Sequence, residues 1–267
     1  MENQFLRPEM NYVLAALLQE DSRLLAEQLE LVRLRAGQVL SDPGQRVHHV
    51  HFPTTAVVSM LALSESGAGL EVAVVGQEGL VGMPILTGGD SMPYRLEVRC
   101  TGLAFRIPAA VMRHAFMHSA AMRRASLLYV QALLTQVAQV AICNRHHALS
   151  DQVSRWLLLT LERMHSRELL ITQQGIADRL GVRREGVATA IGRMQDLGLL
   201  GTSRGRIAVA DREGLERLGC ECYRVIKREY ARLVPPPAAP AATAATATAG
   251  GLQPCHAGHG AALRSCI

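Results

Sequence analysis

The segment ITQQGIADRLGVRREGVATAIGRMQDLGLL, residues 171–200, decides how this chain is read. Thr172 is a helix N-cap candidate, and Ile176, Ala177 and Leu180 fall on one apolar face. Gly181 supplies a tight turn, Val182 packs inward, and Val187, Ile191 and Met194 form the inner face of a second helix. The small Ala177 lets the two helices approach closely. A first helix that braces a second across such a turn is the helix-turn-helix arrangement, whose second helix enters the DNA major groove with its N-terminal residues leading. Those leading residues are Arg183, Arg184, Glu185, Ala188 and Thr189. An Arg can contact guanine O6 and N7 together, a carboxylate can accept from cytosine N4, and a Thr can bond a base edge or touch a thymine methyl. Thr172 and Gln173 at the start of the first helix, and Arg193 further along the second, join them as candidate DNA contacts.

Downstream, GTSRGRIAVAD reads as a two-stranded wing whose tip, Ser203-Arg204-Gly205-Arg206, can grip backbone phosphate. The whole chain carries a net charge of +5, and 27 of its 28 basic residues are Arg, the planar donor suited to phosphates and base edges. Between residues 146 and 232 there are fifteen Arg or Lys against eleven Asp or Glu, so local placement rather than total charge has to steer DNA.

Upstream, Pro108 opens a long helical region. Within it Ser126, Val130, Leu133, Val137, Val140 and Asn144 alternate spacings of four and three, which predicts a helix-pairing seam. A second stripe of Leu127, Leu134 and Ala141 allows the helix to satisfy two partners, its own domain and another subunit. The expected dimer interface is therefore Val130, Leu133, Val137, Val140 and Asn144. Before that helix, GQVL, HVHFP, AVVSMLAL, LEVAVVG, YRLEVRC and LAFRIP are short apolar runs cut by turn residues, the pattern of a β-sandwich or rolled barrel. Leucines from Leu14 to Leu31 at helical spacings, broken near a possible cap at Asp21-Ser22, predict an N-terminal helical cap. Beyond residue 233, PPPAAPAATAATATAGG lacks any periodic apolar pattern and predicts a disordered tail.

The fold expected is α+β. It has a helical cap over 1–33, a β-roll over 34–108, a dimerisation helix region over 109–145, a winged helix-turn-helix over 146–233 and the tail over 234–267.

Other motifs carry less. His48, His49 and His51 in VHHVHF invite a metal- or haem-binding sensor, or a cupin-like enzyme, since alternate strand positions share a face. The Glu that the cupin pattern wants a few residues later is replaced by Pro53-Thr54-Thr55-Ala56, so this is the alternative reading. His146-His147 reads as a helix end. The six cysteines are too scattered for a secreted disulfide framework. Cys220 and Cys222, two apart on an expected helix, point in different directions and read as structural thiols. Cys255, His256 and His259 have too few fixed partners for a metal. No nucleophile motif and no phosphate-binding GxxxxGK[ST] is present. Neither catalysis, nor a metal, nor a cofactor is expected. Without a signal-like N-terminus or about 18 uninterrupted apolar residues, a soluble, cytoplasmic chain with no membrane partner is expected.

A roll, a pairing helix and a C-terminal winged helix, in that order, resemble the Crp/Fnr family of bacterial transcription regulators over roughly residues 25–232. The most specific parts are GVRREGVATAIGRMQDLGLL and SRGRI, and the ending CECYRVIKREY is similar to one branch of the family. The resemblance implies a homodimer on a two-fold symmetric operator, with double-stranded DNA and RNA polymerase as partners and a small-molecule effector of unknown identity. It places Arg184, Glu185 and Thr189 at base-reading positions, and Arg183 where a phosphate contact is equally suitable. Family members that bind cyclic nucleotide carry a Gly-Glu pair and then an Arg-Ser or Arg-Thr pair. In GQEGLVGMP, residues 76–84, Gly82 matches the glycine, but Met83 stands at the Glu. Tyr94 and Arg95 fall at the second pair, with Arg95 one residue off, and a one-residue slip in a strand turns a side chain to the other face. The expectation is a sensor that has lost its cyclic-nucleotide contacts, with Gly82, Met83, Tyr94 and Arg95 as the effector-pocket candidates.

Overall fold

The computed structural model describes residues 7–18, 22–164 and 168–237. Asp21 of the expected helix cap, and Cys255, His256 and His259 of the tail, lie outside the described residues. Two short helices, α1 (Tyr12–Leu18) and α2 (Ser22–Gln28), precede a roll of antiparallel strands. One sheet orders β1 (Glu30–Leu34), β7 (Gly102–Pro108) and β3 (His49–Pro53). The other orders β2 (Val39–Ser41), β6 (Tyr94–Cys100), β4 (Val57–Leu63) and β5 (Gly69–Val75). Period-two alternation sends Val50, Phe52 and Ile107 inward from the first sheet and Val58, Leu96 and Val98 from the second, where all are buried in one apolar cluster. The end of the expected N-terminal helical cap is instead strand β1. Its residues pair with β7 in register from Glu30↔Arg106 to Leu34↔Gly102, and the Arg106–Glu30 ion pair at 2.8 Å closes the edge.

The glycine-rich stretch after β5 is a packing junction. Glu78 accepts a hydrogen bond from the Gly76 amide at 3.2 Å, and Asn11 Nδ2 donates to the Gly79 carbonyl at 2.7 Å. A side chain at Gly79 would collide with the ring of buried Tyr129, whose hydroxyl donates to the Leu80 carbonyl at 2.8 Å. This glycine is required by close approach, independently of any phosphate. A short helix α3 (Pro84–Thr87) follows.

The helical region after Pro108 is two helices, α4 (Ala109–His118) and α5 (Ala120–His146). They are divided at Ser119, whose extended backbone and side chain cap α5 through the Met122 amide. By length and composition α5 could span a bilayer, yet its buried side packs on α1, β5 and α10, as a core helix does. The expected dimer seam is only partly open. Leu133 and Val140 are 3% and 6% exposed, packed inside their own protomer, Val130 and Val137 are half-buried, and Asn144 accepts from Arg155. The apolar face left open is the neighbouring one, with Leu127, Leu134 and Ile142 between 49% and 60% exposed. Both stripes have helical spacing, and contact with α1, β5 and α10 selects between them.

Beyond α5, helix α6 (Leu149–Glu162) is buried from Gln152 to Leu161 and forms the centre of the C-terminal half. Around it lie β8 (Glu168–Leu170), α7 (Gln173–Leu180), α8 (Arg184–Asp196), β9 (Leu200–Ser203), β10 (Arg206–Val209), α9 (Arg212–Leu218) and α10 (Glu221–Leu233). The wing is a three-stranded sheet, β8-β10-β9, where two strands were expected, because Leu169 supplies a buried apolar residue and β8 pairs with β10. The chain breaks at Gly219-Cys220 between α9 and α10. Val234, assigned by sequence to the tail, is buried in the core.

Candidate nucleic-acid interface

Helix α7 begins at Thr172, whose hydroxyl accepts from the Gly175 amide at 3.0 Å. It ends at Gly181 in the left-handed region, φ +66°, with the Val182 amide bonded to the Ala177 carbonyl at 3.1 Å. Ile176, Ala177 and Leu180 bury against Val187, Ile191 and Met194 of α8 in the same core, which fixes α8 at its N-terminal end. That end presents Arg183, Arg184, Glu185 and Thr189 to solvent, with Ala188 half-buried between them and Arg193 exposed two turns further on. The Thr189 hydroxyl donates to the Glu185 carbonyl at 3.0 Å, which orients the side chain on the helix.

Strands β9 and β10 are joined by the two-residue turn Arg204-Gly205, both at positive φ (37° and 78°), the geometry that suits the twist of a tight hairpin. Arg204 is thereby held at the wing tip. Arg184, Thr172, Gln173, Ser203, Arg204 and Arg206 line one open cleft of about 630 Å3 between α8 and the wing. Among the described residues, Arg206 pairs with Glu168 at 3.5 Å on the surface. Six of the eleven DNA contacts expected from sequence line this cleft, and all eleven are exposed except half-buried Gln173 and Ala188.

Other arginines of the same half are committed elsewhere. Arg179, on the outer side of α7, donates to Glu97 at 3.0 Å and Ser59 at 2.9 Å and lies 3.4 Å from Glu71, all on the roll. Glu71 is buried and also accepts from Arg99 at 3.1 Å and Ser59 at 2.6 Å. The Arg99 guanidinium stacks 3.6 Å above the Trp156 ring of α6, and burial pushes its pKa down to about 10 against the pull of Glu71. Arg163, just past α6, donates to Glu78 at 2.6 Å and to Gln136 of α5 at 3.2 Å. Burial disfavours its charge, but Glu78 heads the neighbours that more than offset this, so its pKa is raised. Sequence reasoning missed this junction. The only signal was Arg and Glu at outward strand positions that an isolated roll would leave in water.

Within the roll, Gly82 lines a cavity of about 650 Å3 with Ser41, Arg46, His49, His51 and Arg106. Met83, Tyr94 and Arg95, the other three effector-pocket candidates, do not line it. Arg95 shares its strand face with Glu97 and Arg99 and is held by Asp42 at 2.7 Å. His49 and His51 lie with ring centroids 6.4 Å apart, while His48 is exposed. Burial, then His49 and Arg106, pushes His51 down to about 4. The Arg106 cation stands opposite His51 on β7, where a metal would need an acceptor.

The one group of three or more His, Cys or acidic residues whose donor atoms converge, among the described residues, is Cys143, His147, Cys220 and Cys222. Cys220 is the extended N-cap of α10, outside the helix, so the argument that separated it from Cys222 does not apply. The Cys143–Cys220 hydrogen bond at 3.6 Å is the first influence on both thiols. It pulls Cys220 down to about 5 and raises Cys143, whose burial acts in the same direction.

Residues 151–218 match the Crp-like helix-turn-helix domain. Among solved structures, the fold is similar to that of FixK2 from Bradyrhizobium japonicum, at 17% identity and a TM-score of 0.62, covering 72% of this chain and 98% of that one. It is also similar to a Crp/Fnr-family transcriptional regulator from Thermus thermophilus, at 21% identity and a TM-score of 0.56, covering 71% and 97%. A third is the c-di-GMP-responsive global regulator CLP of Xanthomonas campestris, at 16% identity and a TM-score of 0.56, covering 74% and 99%. Among curated proteins no sequence match is found. The C-terminal domain is Crp-like and the fold is that of the Crp/Fnr transcription regulators, so the metal- or haem-sensor and cupin-like reading of the His cluster is not favoured.

Proposed function

We infer how this DNA-binding transcription regulator of the Crp/Fnr type operates: two copies pair through α5 and present their α8 helices to a two-fold symmetric operator. Half-sites would then lie about one helical turn, roughly 34–36 Å, apart. The observation that carries the reading is one cleft lined by exposed Arg184, on a helix braced by α7, and by Arg204 and Arg206 of the wing, with Arg183 exposed beside Arg184. Arg184, Glu185 and Thr189 read bases, Thr172, Gln173 and the wing hold phosphates, and RNA polymerase is the partner on the promoter. The protein works in the cytoplasm, and its role is regulatory rather than enzymatic.

The pairing face is the open stripe Leu127, Leu134 and Ile142. Leu134→Glu places a charge there and is expected to give a monomer by light scattering at micromolar concentration, with DNA binding lost. A dimer that survives this change would move the interface elsewhere. The roll responds to an effector other than a cyclic nucleotide, a reading supported by Met83 at the Glu position and by Arg95 engaged with Asp42. An effector acts by favouring one placement of the winged helix over another, and the Arg179–Glu71–Glu97 contacts are what it has to strengthen or release. Mobility shift of a symmetric DNA fragment, salt-dependent and weakened in Arg184→Ala, tests the whole reading.

A further inference from the structure

We propose that Cys143, His147, Cys220 and Cys222 form a tetrahedral site for a zinc ion that ties the end of the pairing helix α5 to the last helix α10. Cys143 is in the last turn of α5, and His147 is four residues on, at the helix C-cap, its amide bonded to the Cys143 carbonyl at 3.1 Å. One helical turn therefore aligns these two ligands on one side. Cys220 and Cys222 flank the start of α10, one at the cap and one in the first turn.

The separations suit the ion. Cys143 Sγ and Cys220 Sγ are 3.6 Å apart, Cys222 Sγ and His147 Nδ1 are 3.5 Å apart, and all four donor atoms lie within 4.8 Å of one another. A tetrahedron with Zn–S of about 2.3 Å and Zn–N of about 2.0 Å has edges of roughly 3.5–3.8 Å. All four donors come from the side-chain types that zinc prefers in closed structural sites, and the three sulfurs select a soft or borderline dication over magnesium or calcium.

The surroundings fit the charge and orientation that such a site requires. His147 turns its other nitrogen, Nε2, to Glu221 Oε1 at 3.4 Å, the carboxylate–imidazole arrangement that orients a metal-bound histidine. Three thiolates and one dication leave a net negative charge. Arg155, 2% exposed, acts electrostatically on Cys143, and its Nε and Nη1 have no hydrogen-bond partner among the described residues. The N-terminus of α10 adds a favourable helix dipole. Cys143 and Cys222 are buried, while His147 and Cys220 are partly open, which leaves an approach for the ion. On binding, each thiol that is protonated gives up its proton to solvent.

The test uses the full chain, purified anaerobically with reductant, loaded with zinc and dialysed. About one zinc per chain is expected, and zinc-edge X-ray absorption should show a shell of about three sulfurs and one nitrogen. Cys220→Ser should reduce the retained zinc to less than about one tenth, whereas Cys255→Ser with Cys266→Ser should leave it unchanged. The proposal is overturned by a chain that retains no zinc, by an oxygen-rich shell, or by zinc that survives Cys220→Ser and is lost with the tail cysteines. A Cys143–Cys220 disulfide in the reduced preparation would overturn it as well. Should Cys220→Ser fail to fold, the ligand shell of the unaltered chain decides. None of these readouts depends on DNA binding.

Discussion

Arg184 and Arg163 carry the same guanidinium and meet opposite surroundings. Arg184 stands in solvent beside the wing cleft, whereas Arg163 is buried and bonded to Glu78, Gln136 and the Leu159 carbonyl. Arg179 lies between these extremes, on the first helix of the DNA-reading pair but turned to the roll, with its head group on Glu97 and Ser59. The contrast separates two uses of one residue type. Exposed donors keep their hydration until they meet DNA phosphates, whose condensed counterions are then released to solvent. Buried donors are worth little as net attraction, but removing one partner strands the other charge. The first group should govern affinity for DNA, and the second should govern where the winged helix rests against the roll.

Four substitutions can break this division. Arg163→Ala strands the Glu78 carboxylate and is expected to lower stability by about 3–5 kcal/mol in urea unfolding. A loss below about 1 kcal/mol would place Arg163 among surface pairs instead. Arg179→Gln removes charge-assisted bonds to Glu97 and Glu71 and should cost about 1.5–3 kcal/mol. Its DNA affinity should not fall, so a loss matching that of Arg184→Ala would show that Arg179 reads DNA. Arg184→Ala should leave unfolding within about 0.5 kcal/mol of the parent. It should weaken binding to the best half-site by about 1–3 kcal/mol and relax base preference there, checked by titration against single-base variants. Smallest of all, Arg204→Ser should weaken every DNA sequence alike and reduce the salt slope by about one per wing.

The division was only half legible in the sequence. The helix-turn-helix was, because Ile176, Ala177, Leu180, Gly181, Val187 and Ile191 lie within sixteen residues, and local periodicity plus one turn glycine suffice to place them. The wing was legible through Arg204-Gly205 but not its third strand, since β8 is three residues long and depends on pairing with β10. On α5 the spacing showed two apolar stripes, and the one taken for the dimer seam holds two core residues. Leu133 and Val140 became core, and Leu127 and Leu134 stayed open, through contacts with residues far away in sequence. The same limit hid the Asp42 partner of Arg95, which strand order and tertiary packing supply.

The sequence by itself determined the class of protein, a β-roll followed by a Crp-like winged helix, since each of its elements announces itself within a few turns or strand lengths. The tertiary structure alone decided which arginines stand in solvent and which are locked to the roll, and it brought Cys143 and His147 to Cys220 and Cys222 across more than seventy residues. The physical reason is that a side chain's chemistry follows its residue type, while its partner, burial and charge state are set by whatever the folded chain places beside it.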